Sequence, residues 1–146
     1  MFHPQTPDWE LRVRASFARQ GLMHALNAAI EHIRPGELSI TIPFNPAYGQ
    51  QHGYVHGGVI ASLLDSACGY AALTLMPADR EVLTVEFKVN FVSPAQGSRF
   101  VATGRVIRSG RTFSVCTGEA VAINGDRRTT IAIMQATMFA MHVSQM

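Results

Sequence analysis

A chain of 146 residues with 47% apolar and 15% charged side chains is long enough to bury a core as one domain without disulfide or metal support. Its net charge of +2, with no Lys/Arg run and no aromatic-basic interleaving, argues against nucleic acid as a partner. The charged fraction lies below that of a usual monomer, which points to apolar surface covered by a further subunit.

The N-terminus (MFHPQTPDWELRVR) has no basic segment leading into an apolar one, so no secretory leader is expected. Cys68 and Cys116 form no CxxC pair and share no ligand spacing, which fits a reduced, cytoplasmic chain. Pro7 to Gln20 reads as a helix, with Trp9, Leu11, Val13 and Phe17 at apolar positions and Gly21 ending it. Residues 1–20 are thus a helical extension of the domain 1–146. Ala25 to Ile33 reads as a strand, Arg34 to Glu37 as a turn, and Leu38 to Phe44 as a second strand with clean alternation.

Asn45 to Gly58 is a polar, Gly-rich loop. From about Gly58 to Met76 the chain is apolar nearly all round and reads as one long helix stopped by Pro77. It approaches the length of a membrane span. Asp65 lies inside it, and an Asp near a membrane centre costs roughly 2.5–3.5 kcal/mol, so a helix buried in protein is expected and a membrane partner is not. Four strands follow: Val82 to Phe91, Arg99 to Arg108, Thr112 to Ile123 and Arg128 to Met141. In the first, strict alternation places Val85, Phe87, Val89 and Phe91 on one face and Thr84, Glu86, Lys88 and Asn90 on the other. Ser109-Gly110-Arg111 and Asn124-Gly125-Asp126 are hairpin turns. This order fits an α+β fold, one antiparallel sheet wrapped around one long central helix.

Asp65 carries the only charge between Gly57 and Met76. On a helix it shares a narrow stripe with Ser62, Ser66 and Gly69. A solvent stripe is the plain alternative, but such stripes are usually richer in Lys, Glu and Arg. A carboxylate shielded by apolar neighbours has two useful chemistries. It can activate a water as general base, or attack a carbonyl and form a mixed anhydride. His56-Gly57-Gly58 opens the helix, where the first amides lack intrahelical acceptors and carry partial positive charge. A carbonyl placed there would be polarised; a bare tight turn is the other reading. His52 and His56 are four apart in a loop with no third ligand at a recognisable spacing, so neither metal nor cofactor is expected. Arg105, Arg108, Arg111, Arg127 and Arg128 gather near late turns, either as solvated charge or as phosphate anchors.

The segment Gln50 to Ala72 (QQHGYVHGGVIASLLDSACGYAA) resembles the hotdog-fold thioesterases, in particular the branch that includes the phenylacetate-degradation thioesterases. His56-Gly57-Gly58, followed by Asp65 inside a long apolar helix, carries the likeness, and Thr84 to Pro94 (TVEFKVNFVSP) extends it. The resemblance implies hydrolysis of an acyl-coenzyme A thioester. Gly57 would donate its amide to the thioester oxygen, and Asp65 would be base or nucleophile. Gln50 would help hold the carbonyl or the attacking water, and Thr84 would orient that water. His56 would steady the loop, and His56 and Gly58 would lie against the substrate. Arg108, Ser109, Gly110 and Arg111 would touch the nucleotide end of coenzyme A. It further implies a homodimer or homotetramer in which Gly57 and Gln50 of one chain meet Asp65 and Thr84 of another. Three other readings stay open: a non-catalytic acyl-coenzyme A-binding module, a hotdog dehydratase or hydratase, and a thioesterase acting on acyl carrier protein. Ala61, Leu64, Cys68 and Tyr70 are candidate walls of the acyl pocket.

Overall fold

The computed structural model describes residues 1–146, the side chain of Gln145 excepted. Two helices come first, α1 (Trp9–Arg19) and α2 (Gly21–Ala25), then strands β1 (Ala29–Arg34) and β2 (Glu37–Pro43). The long helix α3 (Gly57–Leu73) follows, then β3 (Arg80–Phe91), β4 (Arg99–Ser109), β5 (Phe113–Asn124) and β6 (Arg127–His142). The strands form one antiparallel sheet in the order β1-β2-β4-β5-β6-β3. The sheet carries α3 against its inner face, which is the hotdog arrangement.

Glycine sets how closely helix and sheet approach. Gly104 and Gly118 pair across β4 and β5, in a row that continues to Leu38 on one side and Met134 on the other. A Cβ on Gly104 would lie 2.4 Å from the carbonyl carbon of Ala67, and one on Gly118 would lie 3.0 Å from Leu64 Cδ2 and 3.1 Å from Cys68 Sγ. The backbone of α3 therefore rests directly on the middle of the sheet, and only glycine leaves room for it. Leu64 and Cys68, candidates for an acyl pocket, instead fill this seam and are fully buried. Burial pushes the Cys68 thiol well up, and pushes the Cys116 thiol up to about 12. Both are free and protonated at neutral pH, and neither is a nucleophile.

The opposite side of α3 is covered by the N-terminal segment. Phe17 meets Tyr70 edge-on, with ring centroids 5.7 Å apart. Three carbonyls beyond the helix end receive side-chain donors: Gln5 Nε2 donates to Leu75 O at 2.9 Å, and Arg12 Nη1 donates to Met76 O at 3.2 Å and Pro77 O at 2.9 Å. Strand ends shift from the sequence reading by one or two residues, and three boundaries change more in kind. Gly21 opens α2 rather than ending the helical extension, and Ala25 belongs to α2, not to a strand. Asn27, at φ 54°, turns the chain before β1 begins at Ala29. Helix α3 stops at Leu73 instead of Met76, where the Thr74 hydroxyl donates to Ala71 O (2.6 Å) and accepts from Gly36 N (2.8 Å).

β3 closes the sheet on one side as an edge strand. Val85, Phe87 and Phe91 are exposed along it, with Val92 just beyond. No described strand pairs with its outer edge. No helix among the described residues is long and apolar enough to cross a membrane.

Candidate active site

Asp65 lies midway along α3, half-buried, with its carboxylate turned toward β3. Thr84 Oγ1 donates to Asp65 Oδ1 at 2.7 Å. Strict alternation would have put Thr84 on the face opposite Phe87, Val89 and Phe91. The structure corrects this. Thr84 pairs with Met138 and Glu86 with Thr137, so Val85 is an extra residue, a β-bulge. Paired residues share a face, and Met138 and Ala136 are buried beneath α3. Thr84 therefore faces inward together with Phe87, Val89 and Phe91, while Glu86, Lys88 and Asn90 face outward. The bulge re-aims one side chain at the carboxylate, a common use of bulges beside functional sites.

Asp65 and Thr84 open into a cavity of about 550 Å³. Ser66, Gly69 and Tyr70 of α3 continue its wall, and Ser16, Arg19 and Gln20 close it from the N-terminal side. Three of the four residues on the sequence-derived stripe thus face one space. The fourth, Ser62, turns back to its own helix and donates to Gly58 O at 2.7 Å. Gln20 was invisible in the sequence, where a polar residue before Gly21 looks like any helix end.

The other half of the candidate set gathers at the start of α3. His56 is its N-cap: the ring Nδ1 accepts from Gly58 N at 2.8 Å, and His56 N donates to Tyr48 O at 2.8 Å. The Gly58 amide is thereby engaged, whereas the Gly57 amide has no acceptor among the described residues. A side chain on Gly57 would press on the Phe91 ring, 3.1 Å from the added Cβ. Gln50 sits in the preceding turn, where its Oε1 accepts from His52 N and its backbone N donates to Tyr54 O at 2.8 Å. Gln50 and Gly57 line a second cavity, about 420 Å³, with Tyr54, Ile60, Phe91 and Ile131. Neither His52 nor His56 belongs to a group of three His, Cys, Asp or Glu side chains in metal-binding geometry among the described residues.

The two halves are well separated within one chain. Gly57 and Asp65 are eight residues apart on a continuous helix, a rise of about 12 Å. A carbonyl hydrogen-bonded to Gly57 N is out of reach of the carboxylate on the same helix. Arg108, Ser109, Gly110 and Arg111 form the exposed β4–β5 turn and touch neither cavity. The row Thr84–Met138–Ser114–Ser109 places this turn at the Thr84 end of the sheet, three strand spacings or about 14 Å away. Ser109, Gly110 and Arg111 instead line a small cavity with Arg80 and the residues after α3.

Residues 52–129 match the model of the thioesterase superfamily. The crystal structure of a thioesterase family protein from Silicibacter pomeroyi is 46% identical, with a TM-score of 0.91 over 92% of this chain and 98% of that one. The PaaI protein from the phenylacetic acid degradation operon of Escherichia coli shares the fold at 20% identity, with a TM-score of 0.83 over 92% of this chain and 94% of that one. Among curated proteins, one of Saccharolobus solfataricus that bears an esterase name is 34% identical over 90 residues, 62% of this chain and 64% of its own length. The medium/long-chain acyl-CoA thioesterase YigI of Escherichia coli is 29% identical over 96 residues, 57% of this chain and 60% of its own. This chain therefore spans less than two thirds of either curated relative.

Proposed function

From the premise that this chain belongs to the thioesterase superfamily, whose chemistry is thioester hydrolysis, we propose that it cleaves acyl-coenzyme A to a carboxylic acid and free coenzyme A, in a site shared between two copies. One observation carries the proposal. The unengaged Gly57 amide and the Asp65–Thr84 pair lie about 12 Å apart along a single helix, too far to act on one carbonyl. The exposed apolar edge of β3, beside Thr84, offers the surface on which a second copy would bring the partner Gly57 to Asp65.

In the assembled site the thioester oxygen accepts from the Gly57 amide of one subunit. Such a donor is typically worth about 10²–10³-fold in rate. Gln50 stands beside it to hold the carbonyl or the water. In the other subunit the Thr84 proton is already given to Asp65, so the Thr84 oxygen is left as an acceptor. It orients a water whose second proton goes to the carboxylate, which acts as general base. The tetrahedral intermediate collapses with loss of the thiolate, a leaving group that needs little acid help. His56 keeps Gly57 presented by fixing the amide of Gly58. Arg108 to Arg111 would receive the phosphates of the nucleotide end. The reading calls for no cofactor, and two buried free thiols fit a reducing, cytoplasmic setting.

The test is thiol release from a panel of acyl-coenzyme A thioesters by wild type and Asp65→Asn side by side. We expect kcat to fall by at least about 10²-fold in a variant that keeps its fold and oligomeric state. Near-normal turnover by a correctly assembled Asp65→Asn protein would sink the mechanism. Cleavage of carrier-bound thioesters alone would transfer the activity to acyl carrier protein, and binding without cleavage would favour the non-catalytic module.

A further inference from the structure

Gln20 reaches from the end of the helical extension to α3. Its Oε1 accepts from Ser66 Oγ at 3.1 Å, and its Nε2 donates to the Tyr70 hydroxyl at 3.1 Å. Ser66 and Tyr70 follow Asp65 by one and five positions. The clamp therefore stands on the same cavity wall as the carboxylate and ends about 7.5 Å farther along the helix, on the side away from Gly57. Tyr70 is only 5% exposed, and its ring is fixed by Phe17. A phenol both accepts and donates. With Gln20 supplying the bond it accepts, its own proton has no acceptor among the described residues.

Apolar contents in this cavity would strip water from that proton and give nothing back. The cavity is also lined by Arg19 and Glu81, of opposite sign, the latter 3.9 Å from Arg12. A neutral oxygen suits such a lining better than a formal charge. Resting on the thioesterase reading, we propose that Tyr70, positioned by Gln20, donates to a neutral acceptor oxygen of the substrate that lies beyond the thioester group. That oxygen belongs either to the acyl group, as a hydroxyl or keto oxygen, or to the first amide of the pantetheine arm.

Two substrate pairs separate these sources. Hexanoyl-coenzyme A against 6-hydroxyhexanoyl-coenzyme A tests the acyl oxygen at the depth of Tyr70. S-hexanoyl-N-acetylcysteamine against S-pentyl hexanethioate, which has no amide, tests the pantetheine oxygen. Each pair is run with wild type, Tyr70→Phe and Gln20→Met. We expect wild type to favour the oxygen-bearing member of one pair by about 10-fold or more in kcat/KM, with the ratio near 1 in Tyr70→Phe and reduced several-fold in Gln20→Met. The pair that responds names the oxygen. The ratio is the readout because a merely structural role for Tyr70 would lower both rates and leave the ratio standing. Equal rates within both pairs in wild type, or a ratio unchanged in both variants, would overturn the proposal. If wild type cleaves no thioester at all, the hydrolase reading itself fails and takes this inference with it.

Discussion

Helix α3 presents two unlike faces. Toward β4 and β5 it lies backbone-to-backbone on Gly104 and Gly118, with Leu64, Ala67 and Cys68 fully buried. Toward β3 it offers Asp65, Ser66 and Gly69 to a cavity, and the strand beside them is exposed and unpaired on its outer edge. The first face is fixed by shape, and almost nothing there can change without moving backbone. The second leaves polar groups with bonds still to make. The seam makes the fold, and the edge is where a ligand and a second copy can act.

The largest expected effect breaks the seam. Gly104→Ala puts a Cβ 2.4 Å from the Ala67 carbonyl carbon, against backbone that has no rotamer to escape with. Overpacking a core typically costs about 1–3 kcal/mol and more where the backbone must shift, so we expect little soluble protein or a sharply lowered Tm. Gly21→Ala, with nothing within 4 Å of the new Cβ, is the matched control and should melt like wild type. Equal melting temperatures for both variants would mean that the close approach at Gly104 does not govern the packing of α3.

The next effect breaks the edge and spares the fold. Phe87→Lys sets a charge on the exposed, inward-turned part of β3, as natural edge strands do to prevent pairing. We expect a folded monomer by light scattering, with thioester hydrolysis reduced by about 10²-fold or more because the Gly57 donor is lost from the site. An active monomer would refute the shared site and leave the hydrolase assignment intact.

The same contrast explains what the sequence made legible. The long helix was readable because an apolar run with one carboxylate has few other interpretations, and the late hairpins announced themselves at Asn124-Gly125-Asp126. The glycines at 104 and 118 gave no such signal, since a glycine inside a strand looks the same whether it meets a helix or nothing. A short helix and an apolar strand are alike over a few residues, so Ala25 reads as strand, and the turn at Asn27 depends on a backbone angle. Alternation counts residues and cannot see that Val85 is extra, so it turns Thr84 to the wrong face. Thr84 was nonetheless in the candidate set through resemblance, and Asp65 through its isolated charge. Gln20 was in neither, since its bonds to Ser66 and Tyr70 span 46 and 50 positions.

A smaller effect sharpens the edge itself. Thr84→Val removes the 2.7 Å hydrogen bond to Asp65 and the acceptor for water, yet keeps the side chain's shape. We expect kcat to drop by about 10-fold or somewhat more with KM little moved, and Thr84→Ser to restore most of it. Deleting Val85 tests the bulge: without the extra residue Thr84 stays opposite Met138 in a regular ladder and still faces inward, so the variant should keep much more of the rate than Thr84→Val. A deletion variant as slow as Thr84→Val would mean that the bulge itself, and not only the face of Thr84, sets the contact with Asp65.

The smallest effect belongs to the seam's side of the sheet and is read by pH. Glu37, on β2, has a side chain only 12% exposed and accepts from Arg34 Nη2 at 2.9 Å and Arg105 Nε at 2.8 Å. Burial alone would raise its carboxyl, but hydrogen bonds and charge from Arg34 and Arg105 outweigh that and hold it below the usual carboxylate range. A depressed folded-state value means that the unfolded chain takes up the proton first as acid is added. The stabilisation is complete above the ordinary glutamate value near about 4.5 and is lost as pH falls through the lower, folded value. Glu37→Gln should therefore melt below wild type at pH 7, and the gap should narrow on going from about pH 5 toward pH 3. Because the partner arginines are half-exposed or more, the gap at pH 7 should be modest. A gap that stays constant over that range would mean that packing of the Glu37 side chain, rather than its charge, ties β2 to β4.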